Sequence, residues 1–196
     1  MSREYKKRLR AQQEEKTRQR ITEAAVELHG SVGPARTTMS AVAERAGVQR
    51  ATLYRHFPDD VALFGACSAH WAALHPPPDP ASWAEIADPD ERLRTALGEV
   101  FEWYGSDEQM FLNIFRDASL VPAMGAAVQR RIEGFQQLVA AIERGRPERG
   151  RARKRVQAAI AHAASFATWH TLTRGGGLTD DEAVTVAAGM VAAAAN

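Results

Sequence analysis

Residues 37–57 read TTMSAVAERAGVQRATLYRHF, and the spacing of small, apolar and polar residues in this stretch decides the fold. A helix-turn-helix needs a small residue where its two short helices cross, and Ala43 fits that position. Four residues later, Gly47 can adopt the left-handed conformation that ends the first helix without a steric penalty. Leu53 would then pack from the second helix into the core between the two. The stretch therefore predicts a helix-turn-helix with its turn at Gly47 and Val48.

The second of these helices carries polar side chains that suit a DNA groove. Amide, hydroxyl and guanidinium groups on such a helix reach base edges and phosphates when it enters the major groove. The predicted DNA-binding residues are Thr37, Thr38, Gln49, Arg50, Ala51, Thr52, Tyr54, Arg55 and His56. Of these, Gln49, Arg50 and Thr52 are expected nearest the base edges. Contacts to phosphates are expected mainly from Thr38, Tyr54 and His56.

The same stretch resembles the signature of the tetracycline-repressor (TetR) family of bacterial transcriptional regulators. The matching segments are Thr37-Thr38, Ala43–Val48 and Ala51–Phe57, and with the flanking helices the resemblance covers roughly residues 14–64. It implies an N-terminal three-helix DNA-binding domain, here residues 1–57, and a helical effector-binding and dimerisation domain, residues 58–196. It also implies a homodimeric repressor that binds a palindromic double-stranded DNA operator and is released by a small-molecule effector.

Two positions depart from the family pattern. Gln49 stands where the family usually has serine, so the second helix lacks a good N-cap and is expected to depend on packing. Asp59 and Asp60 stand where a Ser/Asn-Lys pair is common. Asp59 can cap the fourth helix, but the carboxylate of Asp60 cannot bind phosphate as a lysine would.

The charge of the chain is divided unevenly along its length. Residues 1–57 carry 12 Lys and Arg against 6 Asp and Glu, a net charge of +6, and residues 58–196 carry 13 against 18, a net charge of −5. A basic segment on an acidic body is typical of a nucleic-acid reader attached to a second domain. The single cysteine, Cys67, excludes an internal disulfide and suits the cytoplasm, where we expect the protein to act. Neither a secretory signal nor a membrane-spanning segment is expected.

Helical periodicity without strand alternation predicts an all-α fold. Residues 2–15 are predicted to form a flexible arm or a fraying helical extension that either reaches the DNA backbone or is merely solvated. Three consecutive prolines and a fourth, Pro80, mark residues 75–80 as a loop. The predicted helices span about 15–30, 38–46, 49–56, 59–74, 88–105, 110–115, 122–144, 152–174 and 183–195.

The last helix, residues 183–195, is apolar on most of its circumference and must be covered by other surfaces. Its own domain can cover one side, and a second copy of the chain is the natural cover for the other. The last two helices are therefore predicted to form a four-helix bundle across a two-fold axis, with Ala187 and Ala194 at the interface. Thr179 and Glu182 form a capping box at the start of the last helix.

Aromatic residues at helical spacings suggest a small-molecule pocket in the body. The predicted ligand-binding residues are Phe101, Tyr104, Phe111, Phe115, Phe135, Phe166, Trp169 and His170. Tyr104, Trp169 and His170 would supply polar anchors. The acidic body disfavours an anion, so the expected effector is apolar or aromatic. Aromatic residues at this spacing also fill ordinary cores, and that alternative stays open.

Motifs of enzymes are absent from the sequence. It has no phosphate-binding Gly-rich loop, no Gly-x-Ser-x-Gly elbow and no Cys-x-x-Cys pair, and the histidine spacings do not suit a metal on one helix face. We therefore expect no catalytic residue, no cofactor and no metal site. Two alternatives remain: a DNA-binding regulator without a small-molecule effector, and a helical metal-binding or enzymatic module with a DNA-binding head.

Overall fold

The computed structural model describes residues 3–195 and is helical with no strand in that range, as predicted. Short 3₁₀ turns occupy Pro34–Arg36, Ser82–Glu85 and Pro122–Met124. None of the helices within residues 3–195 has the length and apolarity needed to cross a membrane. The α-helices are α1 (Arg3–Ser31), α2 (Met39–Arg45), α3 (Arg50–His56), α4 (Asp60–Leu74), α5 (Pro89–Ser106), α6 (Glu108–Asp117), α7 (Gly125–Glu143), α8 (Gly150–Ala163), α9 (Phe166–His170) and α10 (Asp180–Ala195).

The chain divides into two compact units. The first unit comprises the described residues up to Leu74 together with Gln109–Gln129. The second unit comprises His75–Glu108 and the described residues from Arg130 onward. The first unit thus includes α4 and most of α6 in addition to the predicted DNA-binding segment. The predicted domain boundary after residue 57 lies just beyond the end of α3 and stays a prediction.

The core of the first unit forms where α1 packs on α2 and α4, and α2 packs on α3. Ile21 and Ala25 from α1 meet Val42 and Leu53 of the helix-turn-helix, and all four are completely buried. Ala46 and Cys67 belong to the same core. Burial of its thiol raises the pKa of Cys67 to about 12, so Cys67 acts as a small apolar residue of this core. This core fixes the orientation of α3.

The first helix is longer than the sequence pattern indicated. α1 begins at Arg3 rather than near Glu15, so of the two alternatives predicted for the residues before Glu15 the helical extension is the one observed, and Ser2 lies outside the described residues. Residues 3–20 are mostly Arg, Lys, Glu, Gln, Ala and Leu, which are among the best helix formers. The predicted start relied on the apolar stripe, which begins only at Ile21 because the preceding residues have no core to contact.

The second unit is built around α10, which packs against α8 and α5. The predicted capping box is confirmed at its start: the Thr179 backbone N–H donates to Glu182 Oε2 at 2.8 Å, and the Glu182 N–H donates to Thr179 Oγ1 at 3.3 Å. Ala187 is completely buried within the chain. Its predicted place at an interface between copies is therefore wrong, because α5 and α8 already cover that side of α10.

The predicted helix over residues 152–174 is wrong, because α8 and α9 are separate. α8 ends at Ala163, and Ser165 caps α9 by accepting the Thr168 N–H at 3.2 Å. The Ser165 hydroxyl also donates to the His162 carbonyl oxygen at 2.8 Å. These side-chain hydrogen bonds compete with the backbone hydrogen bonds of a continuous helix, and the helix is interrupted here. After α9 the backbone forms a π-helical turn over Thr171–Gly175.

Candidate nucleic-acid interface

The turn between α2 and α3 has the predicted geometry. Gly47 has φ of +64°, in the left-handed region, and the Val48 N–H donates to the Ala43 carbonyl oxygen at 2.9 Å. Thr38 Oγ1 accepts the Ala41 N–H at 3.1 Å and so caps α2. The Thr37 hydroxyl donates to the Gly33 carbonyl oxygen at 2.9 Å. These bonds place the start of α2 and the turn in one fixed arrangement.

One side of α3 is buried and the other is exposed. Leu53 is completely buried, while the exposed residues are Gln49, Arg50, Ala51, Tyr54 and Arg55. Thr52 is half-buried at the edge. The Arg50 guanidinium carbon lies 5.9 Å from the centre of the Tyr54 ring, at the outer limit of a cation–π contact. Most of the predicted DNA-binding residues therefore share one accessible face.

The N-terminal end of α3 lacks a side-chain cap, as predicted from the glutamine at position 49. Gln49 has an extended backbone, and its side chain makes no capping hydrogen bond. Packing of Leu53 and Phe57 into the core holds the helix instead. At the start of α4, Asp59 Oδ1 accepts the Ala62 N–H at 2.8 Å, which confirms the predicted cap. Asp60 is exposed.

His56 is less accessible than the sequence implied. Its Nε2 atom is buried and has no hydrogen-bond partner among the described residues. Burial lowers the pKa of His56, and the nearby charges of Arg55 and Arg18 lower it further. A contact of Nε2 with a phosphate would first require this atom to become exposed, and the phosphate contact of His56 stays a prediction.

Polar side chains of α6, which the sequence reasoning missed, hold the end of α1. The Asn113 amide donates to the carbonyl oxygens of His29 at 2.9 Å and Gly30 at 2.7 Å. Asp117 Oδ2 accepts the Ala35 N–H at 2.9 Å, and the paired Arg116 holds the pKa of Asp117 below its usual range. Asn113 and Asp117 are four residues apart and are buried beside Met110 and Phe111. Two polar residues at helical spacing within an apolar stripe are the feature of the sequence that could have indicated this capping role.

The predicted ligand-binding residues are divided between the two units. Phe111 and Phe115 stack in the first unit with ring centres 6.5 Å apart. In the second unit, Phe101 is completely buried and Phe135 is half-buried. The remaining four form one aromatic cluster, defined here as Tyr104, Phe166, Trp169 and His170, with ring centres 5.3 to 6.3 Å apart.

Two predicted polar anchors of the aromatic cluster already bond within the second unit. The Tyr104 hydroxyl donates to the Ala164 carbonyl oxygen at 3.0 Å, and Trp169 Nε1 donates to Asp180 Oδ1 at 2.9 Å. Burial raises the pKa of Tyr104, so its hydroxyl is a neutral donor. His170 is partly exposed, with Nε2 3.6 Å from Glu108 Oε1. A ligand at this cluster must therefore displace existing contacts. Within residues 3–195 no group of three or more His, Cys, Asp or Glu is arranged to hold a metal ion.

Comparison with known proteins agrees with this geometry. A family model described as bacterial regulatory proteins, tetR family, matches residues 21–67. No curated protein sequence matches the chain. Solved structures that share the fold include a TetR-like transcriptional regulator from Rhodococcus sp. RHA1, with 20% sequence identity, a TM-score of 0.63 and an alignment over 89% of this chain and 93% of that one. For NalD from Pseudomonas aeruginosa the identity is 21%, the TM-score is 0.61, and the alignment covers 93% of this chain and 95% of that one. For a TetR transcription regulator from Haloarcula marismortui the identity is 17%, the TM-score is 0.57, and the alignment covers 92% of this chain and 97% of that one.

Proposed function

Because the chain belongs to the TetR family of bacterial regulatory proteins, we propose that it represses transcription as a homodimer on a palindromic operator and is released by a small molecule. The observation that carries this proposal is the exposed face of α3, which presents Gln49, Arg50, Tyr54 and Arg55 while Leu53 anchors it. Thr37, Thr38, Ala51, Thr52 and His56 complete the proposed interface. Two such helices read half-sites about one turn of DNA, roughly 34 Å, apart.

An exposed stripe on α10 supports the dimer. Val186, Gly189, Met190 and Ala193 recur at helical spacing and are all exposed. Val186 and Met190 are each 40% exposed, and the small residues beside them permit close helix packing. A two-fold contact through this stripe would cover the apolar surface that α5 and α8 leave open.

A similar structure supports the repressor role, and the aromatic side chains of the second unit support a small-molecule effector. The similar structure of NalD is described as the secondary repressor of a multidrug efflux pump. In the present chain the aromatic cluster, with Phe101 and Phe135 in the same unit, offers contacts for an apolar or aromatic molecule. Such a molecule weakens DNA binding only to the extent that it binds the released conformation more tightly.

The test begins with operator selection. Fragments of the source genome bound by the purified protein should share a palindrome, and footprinting should protect both half-sites. Binding without any shared sequence would contradict operator recognition. Apolar and aromatic compounds are then screened for loss of operator binding together with a change in tryptophan fluorescence, with Trp83→Phe as the matched control for Trp169→Phe. The expected result is that Trp169→Phe removes much of the fluorescence change and Trp83→Phe does not.

One observation favours an effector-free regulator instead. The polar atoms of Tyr104 and Trp169 are already bonded within the second unit, as in a closed core. If no compound of the screen changes either fluorescence or operator affinity, this second function replaces the ligand-released repressor.

A further inference from the structure

The N-terminal arm, defined here as Arg3–Arg20 of α1, extends beyond the core of the first unit. All its residues are exposed except Thr17, which is half-buried. It carries eight Lys and Arg against three Glu. At 1.5 Å per residue, the 18-residue arm projects about 27 Å from the first core residue, Ile21. This length approaches one turn of a DNA duplex, roughly 34 Å.

Four basic residues of the arm lie in phase with the buried face of α1. The basic stripe consists of Arg3, Lys6, Lys7 and Arg10, which share one face because they are three, four and seven residues apart. The buried face consists of Ile21, Ala24, Ala25 and Leu28, which pack in the core of the first unit. Each basic residue precedes its buried counterpart by 18 residues, or about five complete turns. The basic stripe therefore continues the side of α1 that packs against the helix-turn-helix and α4 in the core of the first unit.

Contacts at the base of the arm show which end of α3 this side adjoins. Arg18 Nη1 donates to the His56 carbonyl oxygen at 3.0 Å, and its guanidinium carbon lies 4.3 Å from the centre of the Phe57 ring. Glu14 and Glu15 act on the same histidine, where their charges oppose the lowering of the pKa of His56. The arm thus leaves the unit beside the C-terminal end of the DNA-reading helix.

We propose that the basic stripe binds the phosphate backbone of DNA outside the base pairs read by α3. The inference rests on the proposed function, since α3 must first place the arm against a duplex. Lys and Arg on one exposed helix face neutralise phosphates and release counterions, which raises affinity without reading bases. A membrane surface fits less well, because the opposite side of the arm offers only Tyr5 and Leu9 as large apolar residues.

The test compares two triple variants of the full chain with equal loss of charge. Arg3→Gln/Lys6→Gln/Arg10→Gln removes most of the basic stripe, whereas Arg8→Gln/Lys16→Gln/Arg20→Gln removes three charges from other sides of the same arm. Glutamine keeps a high helix propensity, and circular dichroism with thermal melting verifies that both variants fold. Each protein is titrated with a short duplex that ends at the outer edges of the half-sites and with a long duplex that adds about 15 base pairs of arbitrary sequence on each side.

Wild type and the control variant should bind the long duplex more tightly than the short one. The stripe variant should lose that preference, and the slope of log K against log salt on the long duplex should become less steep by about 3 for each arm. Equal wild-type affinity for both duplexes would overturn the stripe's role while leaving operator binding intact. An equal loss of this preference in both triple variants would also overturn the role of the stripe, since the position of the positive charges on the arm would then not matter. Failure of the wild type to bind either duplex would overturn the proposed function as well.

Discussion

Arg50 and Tyr54 occupy the exposed side of α3 at positions four residues apart, one turn of the helix. The ring beside the guanidinium restricts the directions in which Arg50 can extend. A restricted arginine near the helix start is suited to bidentate hydrogen bonds with the edge of a guanine. In the proposed interface, Arg50 is therefore expected to contact bases, and other side chains of this face are expected to contact only phosphates.

Arg50→Ala should lose about 1 to 3 kcal/mol of binding free energy on the selected operator and much less on random DNA. The loss on random DNA should be smaller because non-specific binding depends on phosphate contacts alone. Fluorescence anisotropy with both duplexes at one salt concentration measures the difference. Equal weakening on both would assign Arg50 to the phosphate backbone.

His29 makes the stability of the first unit dependent on pH. Its ring packs 5.0 Å from that of Phe64, and burial lowers the pKa of His29 from 6.5 to about 4, partly opposed by the charge of Asp117. A lowered histidine pKa means that the unfolded chain binds the proton more readily than the folded chain. The folded state is therefore fully favoured above pH 6.5 and loses stability as the pH falls toward 4.

Between pH 7.5 and pH 5 the free energy of unfolding should fall by about 2 kcal/mol through His29 alone. Urea titrations of wild type and His29→Gln at both pH values measure this term, because glutamine has no titrating proton. His162→Gln, at an exposed position of α8, serves as the control and should keep the wild-type dependence. The same pH dependence in His29→Gln and wild type would show that other groups cause it.

At the scale of elements, α6 acts as a cap for α1. The last carbonyl groups of a helix lack partners within it, and the Asn113 amide supplies donors to two of them. Gly33, with φ of +96°, lets the chain turn directly under Arg116 and Asp117, where a Cβ atom would collide with both side chains. The turn that leads into the helix-turn-helix is thus positioned from α6.

Asn113→Ala should cost about 1 to 3 kcal/mol of stability, because it leaves the His29 and Gly30 carbonyl oxygens without their side-chain donor. Urea unfolding followed by circular dichroism measures the loss. Gln109→Ala is the matched control on the same helix, since Gln109 is exposed and its amide donates to Asn113 Oδ1 at 3.2 Å rather than to α1. A cost no larger than that of the control would exclude the capping role.

Turns and caps whose partners lie close together in the sequence could be predicted from it. Gly47 fixes the turn between α2 and α3, and Thr179 with Glu182 fixes the start of α10, because the partners lie within a few residues. Asn113 caps a helix more than 80 residues away, which no local pattern specifies. The break at Ser165 depended on competition between a side-chain bond and the helical ladder. The arrangement of the aromatic rings depends on tertiary packing, so periodicity placed them on helices but did not assign them to one cluster.

At the scale of the whole molecule, the proposed assembly depends on the exposed stripe of α10. Val186→Glu/Met190→Glu should convert the protein to monomers, because a two-fold contact would bring like charges together in a surface without compensating partners. Sedimentation velocity at micromolar concentration measures the state. Thr185→Glu, at an exposed polar position of the same helix, should remain dimeric. A wild-type monomer under these conditions would contradict the dimer.

The unbroken course of α1 from Arg3 to Ser31 restricts which changes in length the arm tolerates. Each residue inserted between Ala11 and Lys16 rotates everything before it by about 100° and moves it by about 1.5 Å. Two extra residues would turn the basic stripe by about 200°, to the far side of the helix, without altering any side chain. Seven or eleven extra residues would return it to within about 20° of its present direction. Insertions and deletions between Ala11 and Lys16 should therefore keep the direction of the basic stripe only in near-whole turns, even though every residue of that segment is exposed.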